Sequence, residues 1–245
     1  TAMVQALIHR GPDDQGIYCK GSVGLGHSRL SIIDLSASGH QPMASYDGKT
    51  WITFNGEIYN FNELRTDLEK DGYIFRSKTD TEVILALYKK YDEKCLKFLR
   101  GMFAFAIWDE DIQRLFMARD RIGKKPLKYY YDPSQKIFIF ASEIKAILKN
   151  REVKKEINHE ALDHYLSLQY IPSPLTIFRD IYKLPPAHYL ILQDGKIEIK
   201  RYWGLDLNKN EVTLPLLYLF AELSVPERQN LMAQMSQNDP SMHGR

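Results

Sequence analysis

The run FNGEIYN over residues 54–60 places an Asn side chain, a Gly backbone and a carboxylate in consecutive positions, Asn55, Gly56 and Glu57. They follow the apolar stretch Trp51-Ile52-Thr53-Phe54. An amide donor beside an unhindered N–H can hold an oxyanion, and a Glu next to it suits a substrate ammonium. The competing reading is a hairpin turn, for which Asn-Gly is a strong short signal. Two further residues extend the chemical reading. Arg29 ends a strand-like segment and offers a planar fork that grips a carboxylate through two parallel hydrogen bonds. Asp80 stands at a helix start, where with Glu57 it could share an ammonium. Jointly the five residues would hold an α-amino acid by both charged ends. Each also has a plain structural alternative: a surface ion pair for Arg29, a helix cap for Asp80, a solvated turn residue for Glu57.

Other residue types are less specific. The basic stretch ARDRIGKKPLK, residues 118–128, lacks the phosphate-loop pattern GxxxxGK[ST], as does Gly48-Lys49-Thr50. With no stacking-aromatic motif beside it, it reads as a solvated, turn-forming segment. Cys19 and Cys95 read as structural thiols, since no His is placed in sequence as a base for either. Thr1 could use its own amine as base, but it opens a segment that reads as mid-helix. Two cysteines cannot make a disulfide framework and no Cys/His set has zinc spacing, so a cytoplasmic setting and no metal are expected. A net charge of +2 over 245 residues, without a long run of like charge, gives no reason to expect a nucleic-acid partner. The longest apolar run, Leu214 to Ala221, contains Pro215 and is too short to span a membrane.

These residues need elements to position them. A composition 44% hydrophobic and 12% aromatic supports a sizeable core. Residues 2–9 read as the end of a helix stopped by Gly11-Pro12, 23–30 as a strand, 34–50 as turns and 51–54 as a strand. Helices are expected over 62–71, over 80–91 behind a Thr79/Glu82 capping box, and over 94–100. Strands at 102–108, 115–118 and 137–141 are apolar at nearly every position, so both of their faces must be covered. Helices at 80–91 and 143–149 can cover them, which predicts an α+β fold with sheets buried between helical layers. A helix at 159–170 and a strand pair at 188–193 and 197–202, turning at Asp194-Gly195, form an extension. Residues beyond about 208 lose pattern and are expected to be disordered.

Seven ordered segments then carry a resemblance: RGPDDQG (10–16), GLGHSRLSIIDLSASGHQPM (24–43), FNGEIYNFNELR (54–65), FRSKTDTEVIL (75–85), GMFAFAIWD (101–109), ARDRIGKKPL (118–127) and FASEIKAIL (140–148). With LPPAHYL (184–190) and RYWGL (201–205), the chain over residues 1–203 resembles the glutaminase domain of asparagine synthetases, which are class II glutamine amidotransferases of the N-terminal-nucleophile type. The resemblance implies a four-layer αββα sandwich whose first strand is missing here. It divides the chain into an N-terminally truncated glutaminase domain (1–155), an extension toward a synthetase domain (156–207) and a non-matching tail (208–245).

By resemblance, Arg29 would bind the carboxylate of L-glutamine, and Glu57 and Asp80 its α-ammonium. The Asn55 side chain and Gly56 N–H would form the oxyanion hole, main-chain atoms near Ile32 and Ile33 would help hold the substrate, and Arg10 would sit near the reacting end. The implied mechanism is attack on the glutamine side-chain amide by an N-terminal Cys with its own amine as base. Ammonia would pass to a synthetase domain that activates aspartate with ATP and Mg2+; the glutaminase domain itself would need no cofactor. A synthetase domain and a second copy of the chain are the partners the resemblance implies. The family opens with Met-Cys-Gly-Ile and a strand, whereas this sequence opens inside the following helix, about twenty residues later on ordinary element lengths. The SGGxDS pyrophosphate loop is also absent, and Ala187 and Gly204 stand where the family usually has Gly and Asp. The expectation is a polypeptide that retains most of a glutamine pocket and does not hydrolyse glutamine as written. The alternatives are a non-catalytic glutamine-binding or interaction module, and an inactive gene fragment.

Overall fold

The computed structural model describes residues 1–32, 34, 36–204, 226 and 227. The expectations for Ile33 and for nearly all of the tail from 208 lie outside the described residues. A short helix α1 (Ala2–Gln5) and a 3-10 turn at Ile8–Arg10 lead into the hairpin β1 (Asp14–Lys20) and β2 (Val23–Arg29). Next come β3 (Met43–Ala44), β4 (Thr50–Ile58), α2 (Phe61–Lys70) and α3 (Asp80–Tyr91). Helix α2 follows from an apolar stripe, Phe61, Leu64 and Leu68, at the 3–4-residue spacing that lines one helix face. In α3 the Thr79 hydroxyl accepts the N–H of Glu82 at 3.3 Å, so half of the expected capping box forms. The Glu82 carboxylate instead takes the N–H groups of Arg76 and Ser77.

The chain continues through β5 (Gly101–Asp109), β6 (Arg114–Arg119), β7 (Lys128–Asp132), β8 (Ile137–Ala141), α4 (Ile144–Ile147) and α5 (His159–Leu168). It closes with β9 (Ile181–Lys183), β10 (His188–Gln193) and β11 (Lys196–Arg201). Strands β1, β7 and β9 escape the sequence pattern because DQGIYCK, KYYYD and IYK lack a clean two-residue alternation of apolar and polar residues.

Among the described residues three sheets result, ordered β11-β10-β6-β5-β4-β3, β8-β7-β9 and β1-β2. The doubly apolar strands explain their stacking. In β5, Phe103, Phe105 and Ile107 point into a cluster with Val83, Ile84 and Leu87 of α3, while Ala104, Ala106 and Trp108 point into a second cluster with Leu25, Leu127 and Tyr129. Full burial of each such phenylalanine contributes roughly 1.5–3 kcal/mol. The third sheet repeats the device. Phe138 and Phe140 face the second cluster, and Ile139 and Ala141 face Ala146 and Ile147 of α4 with Met3 and Leu7 beside them. The layers run α2/α3, six-stranded sheet, the two smaller sheets, α1/α4: the expected αββα sandwich.

The inner β layer is interrupted. Strands β2 and β8 do not pair with each other, and between them opens a cavity of about 1190 Å3. Val23–Arg29 line one wall, Phe138–Ala141 the other, and Thr53, Asn55, Ala104 and Ala106 the floor.

The basic stretch 118–128 is a correction to the sequence reading. It does form a turn and exposes Lys124, but its first two charged residues are not solvated. Arg119 is buried and donates to the carbonyls of Leu184, Lys125 and Gly123. Asp120 has no exposed surface and accepts the N–H groups of Phe103, Ile122, Lys124 and Lys125. Charges placed where a turn leaves backbone groups unpaired serve the fold rather than the solvent.

Candidate active site

Asn55-Gly56 is not a turn; the chain turns only at residues 59–60, after β4 ends. Asn55, Gly56 and Glu57 lie inside the nine-residue strand β4, opposite Ala104, Phe103 and Met102 of β5. A full ladder with β5 outweighs the local hairpin preference of Asn-Gly. Gly56 is required by this pairing, since a Cβ there would sit 2.2 Å from the Met102 carbonyl oxygen.

Strand alternation fixes what each residue presents. Trp51, Thr53, Asn55 and Glu57 point to the inner face; Ile52, Phe54 and Ile58 point to the α2/α3 layer. In the plane of the sheet, Ser45 bonds Thr50 on the β3 side, through its N–H to the Thr50 carbonyl, so the N–H groups of residues 52, 54, 56 and 58 turn to that side as well. Strand β3 starts at Met43, opposite Ile52, and beyond it no strand among the described residues covers that edge. Side chains cap two of the three exposed donors: Gln41 Oε1 accepts from Phe54 N at 2.6 Å, and Asp80 Oδ2 from Ile58 N at 2.9 Å. The Gly56 N–H lies between them with no strand to pair with. Beside it, Asn55 Nδ2 is buried without a hydrogen-bond partner among the described residues. A buried unpaired donor costs roughly 1–3 kcal/mol and is tolerated where a ligand supplies the acceptor.

Arg29 ends β2 at the same cavity and is 8% exposed. It donates from Nη1 to the Ser36 carbonyl at 3.0 Å and from Nη2 to the Asp34 carbonyl. Gly39 packs directly on the guanidinium, where a Cβ would lie 2.0 Å from Nη2. Two bonds of five N–H donors leave the fork able to take a carboxylate. Asp80 is 4% exposed and lines the cavity. Burial, and the nearby charge of Glu57, raise its pKa to about 6, against the lowering effect of the Ile58 and Thr81 N–H groups. Glu57 lies in β4 on the Asn55 side of the strand but is not among the residues that line the cavity, whereas Asp80 is.

Arg10 also borders the cavity, but on the α4 side, where Nη1 donates to Glu143 Oε1 at 2.9 Å. Ile32 lines the mouth and is 68% exposed. Of the two cysteines, Cys19 lines the cavity at the far end of β2 from Arg29 and Cys95 does not. Cys95 is buried in the α3 cluster, and Cys19 pairs with Gly24, five residues from Arg29 along β2, about 17 Å of strand.

Gln41 and His27 went unnoticed in the sequence. Gln41 falls in a turn-rich stretch without periodicity, and nothing local signals that its side chain is 7% exposed. His27 also lines the cavity, its Nδ1 3.1 Å from Thr53 Oγ1. Burial, reinforced by Arg29, lowers its pKa to about 4, so it is neutral at neutral pH.

The layered fold and its cavity define a class. The B. subtilis glutamine phosphoribosylpyrophosphate amidotransferase shares the fold at a TM-score of 0.54 and 23% identity, over 76% of this chain and 36% of that one. The chain itself belongs to the glutamine amidotransferase domain family, whose profile matches residues 1–203. It is 45% identical over 202 residues to asparagine synthetase [glutamine-hydrolyzing] 1 of Bacillus subtilis, covering 82% of this chain and 31% of that protein. To asparagine synthetase [glutamine-hydrolyzing] 3 of the same organism it is 40% identical, over 85% and 34%. The chain thus spans about a third of the length of these relatives. No helix among the described residues is long and apolar enough to cross a membrane.

Proposed function

We propose that this chain binds L-glutamine at the β2–β4–α3 site and forms the glutaminase half of an asparagine synthetase-type amidotransferase. Arg29 takes the carboxylate, Asp80 and Glu57 the α-ammonium, and Asn55 Nδ2 with the Gly56 N–H the side-chain amide oxygen. Main-chain atoms at Ile32 border the substrate, and Arg10 lies toward the reacting end. The observation that carries this reading is the unpartnered Asn55 amide beside the uncapped Gly56 N–H, a donor pair in a buried site with a carboxylate and a guanidinium on either side.

When a thiolate adds to the amide carbon, the C=O electrons move to oxygen, and the two donors hold that oxyanion. One such donor is worth roughly 3 kcal/mol of barrier. Collapse expels ammonia, with the proton taken from the thiol by an amine of pKa about 8, and water releases glutamate. The attacking thiol is neither Cys19 nor Cys95. In the whole protein, ammonia would amidate aspartate in a synthetase domain that uses ATP and Mg2+, while this domain works without a cofactor.

Calorimetric titration of residues 1–245 with L-glutamine tests the reading. Saturable binding without release of ammonia is expected. A titration with no heat and no thermal shift overturns the glutamine site, and turnover by this polypeptide overturns the exclusion of its own thiols.

A further inference from the structure

Of the three N–H groups on the open edge of β4, Ile58's is held by Asp80, which is itself part of the amino-acid grip. Phe54's is held by Gln41, which has no part in the reaction described above. The Gln41 carboxamide does two things at once: Oε1 accepts from Phe54 N at 2.6 Å, and Nε2 donates to Thr81 Oγ1 at 3.4 Å. Phe54 immediately precedes Asn55, and Thr81 immediately follows Asp80. One side chain therefore bridges the strand that carries the oxyanion donors and the helix that carries the ammonium acceptor. Its root is fixed as well. The Gln41 carbonyl packs against Gly16 of β1, where a Cβ would lie 2.0 Å from that oxygen.

We propose that Gln41 is a positioning residue that sets the separation between the oxyanion donors at Asn55 and Gly56 and the ammonium site at Asp80. The proposal rests on the glutamine reading and names the part that makes glutamine, rather than any α-amino acid, fit. The chemistry favours a carboxamide. It accepts from a backbone N–H while donating to a hydroxyl, which no apolar side chain of that size can do. Without it, Phe54's N–H is left unpaired at a buried edge, and β4 is free to shift relative to α3. The α-amino and carboxylate groups would still find Asp80 and Arg29; the amide would no longer reach both donors.

The test compares the full chain with Gln41→Leu and Thr81→Val. Each is titrated with L-glutamine and with L-norvaline, which carries the same α-groups and no amide. Gln41→Leu is expected to weaken glutamine about tenfold and norvaline by less than about threefold. Thr81→Val, which spares the Phe54 bond and keeps the test open should Gln41→Leu not fold, is expected to move the same ratio in the same direction by about threefold. Equal losses for both ligands, or none, overturn the proposal. Backbone hydrogen exchange without ligand is a second arm: Phe54 is expected to exchange about tenfold faster in Gln41→Leu while Phe105 does not change, and unchanged exchange at Phe54 overturns the bridge. A wild-type chain that binds glutamine no more tightly than norvaline overturns the glutamine reading itself, a result distinct from a failure confined to the variants.

Discussion

The carboxylate of Asp80, the first residue of α3, accepts the backbone N–H of Ile58 near the end of β4 at 2.9 Å. The side chain proposed for the ligand's ammonium thus also caps a free N–H on the strand that carries the proposed oxyanion donors. The two roles separate by substitution. Asp80→Asn keeps an oxygen for Ile58 and removes the charge. It is expected to leave stability within about 1 kcal/mol of wild type while weakening glutamine tenfold or more. Asp80→Ala removes both and is expected to cost about 1–3 kcal/mol as well. Chemical denaturation and calorimetry on the same samples check this, and equal glutamine affinity in Asp80→Asn would place the ammonium elsewhere.

Protonation of Asp80 gives the binding a pH dependence. Its carboxyl is raised to about 6 in the folded protein, first by burial. A bound ammonium favours the ionised form, so glutamine affinity is expected to fall about tenfold between pH 7 and pH 5. For folding the sign is opposite. A carboxyl whose folded pKa is raised contributes stability that is fully present below the unfolded value near 3.8 and is lost as pH rises through about 6. Added glutamine should therefore stabilise the protein more at pH 7 than at pH 5. Thermal melts with and without glutamine across this range check both, and a flat affinity would refute the role of Asp80.

Asn55 and Gly56 should respond differently to alanine. Asn55→Ala removes a donor with no partner among the described residues, so its cost to folding is expected to stay under about 1 kcal/mol, with a loss of affinity for glutamine and none for norvaline. Gly56→Ala puts a Cβ 2.2 Å from the Met102 carbonyl and is expected to destabilise by about 1–3 kcal/mol. Urea denaturation of the two variants separates the functional residue from the structural one. Equal destabilisation would mean that Asn55 serves the fold.

Residue types and order determined a good deal by themselves. The doubly apolar runs 102–108, 115–118 and 137–141 required layers on both faces, because an apolar strand face left in water is costly. Seven ordered motifs pointed to the family. Arg29, Asn55, Gly56, Glu57 and Asp80 could be grouped by their chemistry alone, and the fold brings four of them, all but Glu57, to the lining of one cavity. Tertiary structure decided the rest. Asn55-Gly56 carries a local turn preference, and only the ladder with β5 makes it a strand. Asp120 and Arg119 read as solvated charges until the turn they sit in turns out to need their bonds. Gln41 had no signal at all, since a bridge between Phe54 and Thr81 joins residues distant in sequence, and no local pattern records a hydrogen bond that exists only after the layers close. The sequence supplied the candidate groups of the proposed glutamine site. Which N–H groups are capped and which are left free depends on where β3 and α3 begin, and that is settled only by packing.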